Sequence, residues 1–149
     1  MNKNELIKSA KKLEIPSEKS VSEFSEKKDE LAVKQKEMMK ENDNLEEVIG
    51  EGNLSVMDDN LENMVDFFHS IFEKYEPQVF VNTVEWVFRS YRSHGFKPEF
   101  WRVNLETFMK NMDKELNERT FDELVPFVNW IMDHESDFVD LTDEYQKEV

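Results

Sequence analysis

From Met57 to Tyr75 the chain reads MDDNLENMVDFFHSIFEKY, and its apolar residues Met57, Leu61, Met64, Val65, Phe68, Ile71, Phe72 and Tyr75 recur at spacings of three and four. Side chains so spaced project from one side of a helix, because the α-helix turns once every 3.6 residues. The same pattern returns three times downstream. Pro77 stands where a second helix begins, since its missing N–H costs nothing in a first turn, and Phe80, Val84, Val87, Phe88 and Tyr91 form the buried face up to Gly95. Lys97-Pro98-Glu99 opens a third helix with Trp101, Leu105, Phe108, Met109, Met112 and Leu116 facing inward. Thr120-Phe121-Asp122-Glu123 reads as a capping box ahead of a fourth, which presents Leu124, Val125, Val128, Ile131 and Met132. Pro126 lies near enough to that helix's start to bend it without breaking it, and Phe138, Val139 and Leu141 carry the packing further. Short connections between helices of this length favour antiparallel neighbours. The expected fold is therefore all-α, an antiparallel (up-down) four-helix bundle with an N-terminal helical extension. A globin-like arrangement of the same helices is the alternative.

Upstream, Gly50-Glu51-Gly52-Asn53 punctuates the chain, because glycine readily takes the left-handed conformation that ends a helix. The expected division is thus 1–49, a short helix followed by one long heptad-like helix, and 50–149, the acidic bundle. Asn4 is the expected cap of the short helix, which bears Leu6, Ile7, Ala10 and Leu13 and stops at Pro16. From Ser17 or Ser20 to Ile49 no glycine or proline intervenes, and Phe24, Leu31, Met38 and Leu45 recur every seven residues as in a coiled coil. The companion line of Val21, Lys28, Gln35, Asn42 and Ile49 is apolar only at its ends, so this seam is half hydrophobic. An unbroken helix here would run about 50 Å, longer than a bundle of this size needs. It either projects in part or breaks near Asn42 to Asn44.

A chain of 149 residues can bury a self-sufficient core, and the absence of cysteine excludes disulfides, thiolate nucleophiles and Fe–S clusters. The net charge of −15 is uneven: residues 1–49 carry 10 Lys against 12 acids, residues 50–149 carry 9 Lys or Arg against 22. Such a surface repels phosphates, so neither nucleic acid nor an anionic membrane is an expected partner. No run of about 18 apolar residues suggests a membrane span, and the lysine-rich start lacks the apolar core of a secretory signal. A cytoplasmic location is expected.

Chemistry leaves few traces. Glu62, Asp66, His69 and Glu73 align as one polar stripe, with Asp66, His69 and Glu73 the candidate metal ligands. A di-iron bundle, however, needs two Glu-x-x-His pairs and further inward glutamates, and here a single Asp66-x-x-His69 appears. A wet acidic flank is the competing reading. Haem would require an imidazole beside an apolar pocket. No Gly-x-Ser-x-Gly turn and no phosphate-cradling glycine loop exist, with only Gly50, Gly52 and Gly95 in the chain. Arg89, Arg92 and His94 form the other candidate, a partner or anion contact at a helix end, against which stands an internal network with the surrounding acids.

The stretch from Trp86 to Trp101 resembles one found in a family of small, uncharacterised bacterial helical proteins, and the likeness runs from about residue 45 to 139. In that family a histidine-rich stretch of the form Asn-His-x-Asn-His precedes the helix; here the matching residues are Asn60-Leu61-Glu62-Asn63-Met64. The resemblance implies an all-helical fold and no established activity, and apolar side chains replace both imidazoles. The expected function is non-enzymatic and without a cofactor: a helical regulator, sensor-like module or adaptor. It would act through a protein partner or self-association as a homodimer along Phe24, Leu31, Met38 and Leu45. The alternative is a bundle that binds haem or a non-haem metal.

Overall fold

The structure, a computed structural model, describes the backbone of residues 1–148 and the side chains of residues 1–144. Among these it is entirely helical: α1 (Lys3–Ala10), α2 (Glu18–Lys40), α3 (Leu45–Ile49), α4 (Leu54–Glu73), α5 (Pro77–Ser93), α6 (Glu99–Glu115), α7 (Glu118–Asp133) and α8 (Glu135–Glu148). No helix in it is long and apolar enough to cross a membrane.

The punctuation expected from sequence holds at Pro77, which occupies the first turn of α5, and at Pro98, which caps α6. It shifts at two caps. Asn2, not Asn4, begins α1, because Glu5 sits three residues after it and completes a reciprocal box that Ile7 cannot offer to Asn4. Asn117, not Thr120, caps α7: its side chain accepts the Thr120 N–H at 2.9 Å, and Thr120 is buried inside the first turn. Pro126 consequently lies two turns inside α7, on an exposed face where the lost hydrogen bond leaves a carbonyl that water can reach. The last helical stretch divides at His134, so Phe138 belongs to a separate helix.

The long heptad segment breaks where two asparagines crowd together. Asn42 Oδ1 accepts the Asn44 N–H at 2.9 Å, an Asx turn that competes with helix continuation and separates α2 from α3. Far from projecting, α2 is the hub of the fold, packed against α4, α6 and α7. Phe24 and Leu31 are fully buried, Leu45 is buried, and Met38 is half-buried, so the seam meets this chain's own helices. One continuous core runs from Leu6 and Phe24 through Phe68 and Phe108 to Phe138, and nine of the twelve phenylalanines are fully buried in it.

Two buried asparagines fix α6 against α2. Asn111 Nδ2 donates to the Leu31 carbonyl at 2.9 Å, and one heptad earlier Asn104 meets Gln35. On the other side of the molecule α5 packs between α1 and α8. The pairing of neighbours therefore departs from a simple up-down order: α2 is the extensive neighbour of α4, and α5 touches the α4–α6–α7 group mainly through large aromatic side chains such as Phe80 against Phe127 and Phe88 against Trp101.

Candidate functional site

α4 and α5 run antiparallel and are pinned at both ends. At one end Asn53 Nδ2, in the turn before α4, donates to the His94 carbonyl at the end of α5 and to the Ile49 carbonyl, each at 2.7 Å. At the other end Phe80 stacks on Phe67 and meets the edge of Tyr75, while the Tyr75 hydroxyl reaches across to the Ala10 carbonyl at 2.5 Å. Between the pins the two helices do not close on each other, and a cleft of about 210 Å³ lies there, floored by α6. Apolar cavities of roughly 150 Å³ already admit a benzene-sized molecule.

The cleft wall is Met64, Phe67 and Phe68 from α4, Val84, Val87 and Phe88 from α5, and Trp101 and Leu105 from α6. Its exposed lining residues are Asn63 and Trp86, so it opens to solvent between them, and Trp86 stands 59 % exposed at that mouth. A large aromatic left in water beside an apolar recess is the informative kind of exposure. Among the described residues no Lys, Arg, His, Asp or Glu lines the cleft. Deep inside it, Tyr91 is so enclosed that burial pushes its phenol far above the ordinary range, and the hydroxyl stays neutral. Asn104, 1 % exposed, is the deepest polar side chain in the wall.

The residues singled out from sequence lie elsewhere and are occupied. The stripe on α4 faces the lysines of α2: Lys28 meets Asp66 at 2.9 Å, Lys36 meets Glu62 at 3.1 Å and Lys40 meets Asp58 at 3.0 Å. His69 lies 2.7 Å from Glu73 and stacks on Phe24. Among the described residues no three His, Asp or Glu side chains converge as a metal site would need, because Asp66 turns toward α2 while His69 and Glu73 pair with each other. None of the three histidines lines the cleft.

Arg92 is an internal clip. Its guanidinium donates to Thr142 Oγ1 at 2.8 Å and to Asp143, tying α5 to α8. Arg89 lies 3.9 Å from Glu85, which also takes Lys3 at 2.9 Å. The His94 ring is 2.9 Å from the Ser90 carbonyl and caps α5. These three side chains do not converge on a common point of contact: Arg92 turns to α8 and His94 back to its own helix.

What the sequence concealed is a buried amide pair, Asn104 in the cleft wall and its partner Gln35 on α2. Gln35 is one of three polar residues in the middle of the heptad companion line, and Asn104 lies on the apolar stripe of α6 between Trp101 and Leu105. An asparagine interrupting the apolar stripe of α6 is the signal that this helix meets a neighbour through a buried amide. No protein-family model, curated protein or solved structure matches the chain.

Proposed function

We propose that this chain is a non-enzymatic, sensor-like helical protein that takes up a small, uncharged, apolar molecule between α4, α5 and α6. The observation that carries the reading is the gap itself: two helices fastened at both ends and separated in the middle, with an aromatic side chain held at the opening. Met64 of α4 and Val87 of α5 both line the space between the two helices. Binding sites of this kind are concave, mostly apolar and carry a few polar groups that orient the occupant. Among its described residues the wall holds no nucleophile–base pair and no acid–base pair, which supports capture over turnover.

The expectation of protein contacts keeps one specific support. Val79 and Trp86 are exposed seven residues apart on α5, on the face beside the cleft mouth. A partner reading Trp86 would sense whether the cleft is filled. The seam of Phe24 and Leu31 offers no such surface, since both side chains are enclosed by the chain's own helices.

The test is calorimetric titration with indane, a neutral bicyclic hydrocarbon, into the wild-type chain and into Val87→Phe, which places a ring in the cleft. Wild type should bind and V87F should not, with both keeping the helical circular-dichroism spectrum. Equal binding by the two folded proteins would place indane elsewhere and defeat the reading.

A further inference from the structure

We infer that the molecule held in the cleft carries one hydrogen-bond acceptor oxygen, such as a ketone, aldehyde or ether oxygen, which Asn104 Nδ2 recognises at the cleft floor. The inference rests on the cleft being a binding site and adds what selects its occupant.

The orientation of the Asn104 amide is settled by its neighbours. Gln35 Nε2 lies 3.0 Å from the main-chain oxygen of Asn104, and a carbonyl oxygen only accepts, so that atom of Gln35 is the amide nitrogen. The Asn104 atom 2.8 Å from the same nitrogen must then be the oxygen, Oδ1. Nδ2 therefore points the other way, where it meets Met64 Sδ at 3.2 Å. A thioether sulfur is a weak acceptor, so among the described residues a buried donor with two protons has only this one poor partner. Both Asn104 and Met64 belong to the cleft wall.

Met64 is flexible and unbranched, and its thioether can swing aside without a strained rotamer. An incoming oxygen would take its place on Nδ2 and exchange a weak hydrogen bond for an ordinary one. A donor-only ligand leaves Nδ2 as it is, because the protons of an amide nitrogen can only be donated. A carboxylate is disfavoured on two counts: among the described residues no cation lines the cleft, and the chain carries a net charge of −15. The selected class is thus a neutral, compact apolar molecule with a single acceptor, about the size of one or two fused rings.

The experiment compares three probes of one shape by titration calorimetry: indane with no polar group, 1-indanone with an acceptor, and indole with a donor only. In wild type the ratio of 1-indanone to indane affinity should exceed that in Asn104→Leu by roughly fivefold, the worth of one net hydrogen bond. Met64→Leu, which removes the competing sulfur and preserves the volume, should raise the ratio above wild type. Indole, which cannot accept from Nδ2, should show no rise in its affinity relative to indane with Met64→Leu. Binding of all probes with a ratio unmoved by N104L and M64L would overturn the role of Asn104 and leave the cleft as a binding site. Failure of every probe to bind wild type would overturn the cleft reading itself. Should N104L not fold, with Gln35 left only the main-chain oxygen of residue 104, the direction of the M64L change decides: a rise supports the inference, and no rise defeats it.

Discussion

The carboxylate of Glu123, on α7, accepts the Ser17 backbone N–H at 2.6 Å at the head of α2. Its second oxygen takes the hydroxyls of Ser17 and Ser20 at 3.1 and 2.9 Å. From sequence this glutamate belonged to a box at the start of its own helix; instead it caps a helix more than a hundred residues earlier. A negative charge at an N-terminus with free N–H groups is stabilising. It anchors the central helix at the end farthest from the Asn42 turn.

Those hydrogen bonds, the Ser17 backbone bond first, hold the Glu123 carboxyl down from its ordinary 4.5 to about 2. A folded-state pKa below the unfolded one contributes stability that is complete above about pH 4.5 and is lost as pH falls through about 2. Glu123→Gln should flatten the thermal stability curve across that window, and Glu123→Ala should cost about 1 kcal/mol near neutrality, the usual value of a cap. Melting profiles at a series of pH values read both. A Q variant with the wild-type slope would remove Glu123 from the account.

Leu31, fully buried on α2, tests whether that helix is core. Leu31→Ala is expected to destabilise the whole chain by roughly 2–5 kcal/mol. Val33→Asp, two residues away on the exposed face, should fall within about 0.5 kcal/mol of wild type. If Leu31→Asp instead left the melt unchanged and altered only the sedimentation coefficient, the seam would be an assembly surface.

Arg92 joins α5 to α8 through Thr142 and Asp143. Arg92→Ala should speed hydrogen exchange of α8 amides while leaving those of α2 protected, since the clip touches only one helix pair. Uniform acceleration would mean that α8 is not a separately anchored element.

The Lys28–Asp66 pair sets the expectation for metals. Dialysis against zinc or ferrous iron should leave no stoichiometric metal by elemental analysis, and His69→Ala should not change the result. Retention of one equivalent that His69→Ala abolishes would show that Asp66 leaves Lys28 to complete a site with His69 and Glu73.

The helices were legible because a 3.6-residue apolar period is written directly into side-chain order, as from Met57 to Tyr75. Caps were less so. Asn2 and Asn4 are equally good capping residues, and only the reach of Glu5 decides between them. The division at His134 carries neither glycine nor proline, and it follows from Phe138 turning to meet Phe88 and Trp130. The cleft had no sequence signature at all. It is a distance between two helices, set by Asn53 at one end and by Phe67 and Phe80 at the other, and long-range clips of that kind leave no local pattern. Arg92 and the acids of α4 looked available for ligands because a single sequence does not show which opposite charge folds back onto them.

The most direct measurement is a methionine-methyl carbon–proton correlation spectrum recorded as indane is added to the wild-type chain. Met64 lines the cleft, whereas Met38, half-buried on α2, and Met109, packed against the core, do not. The Met64 methyl resonance should shift in a saturable way while those of Met38 and Met109 stay in place. A spectrum that does not change, or in which all three move together, would contradict a ligand cleft between α4, α5 and α6.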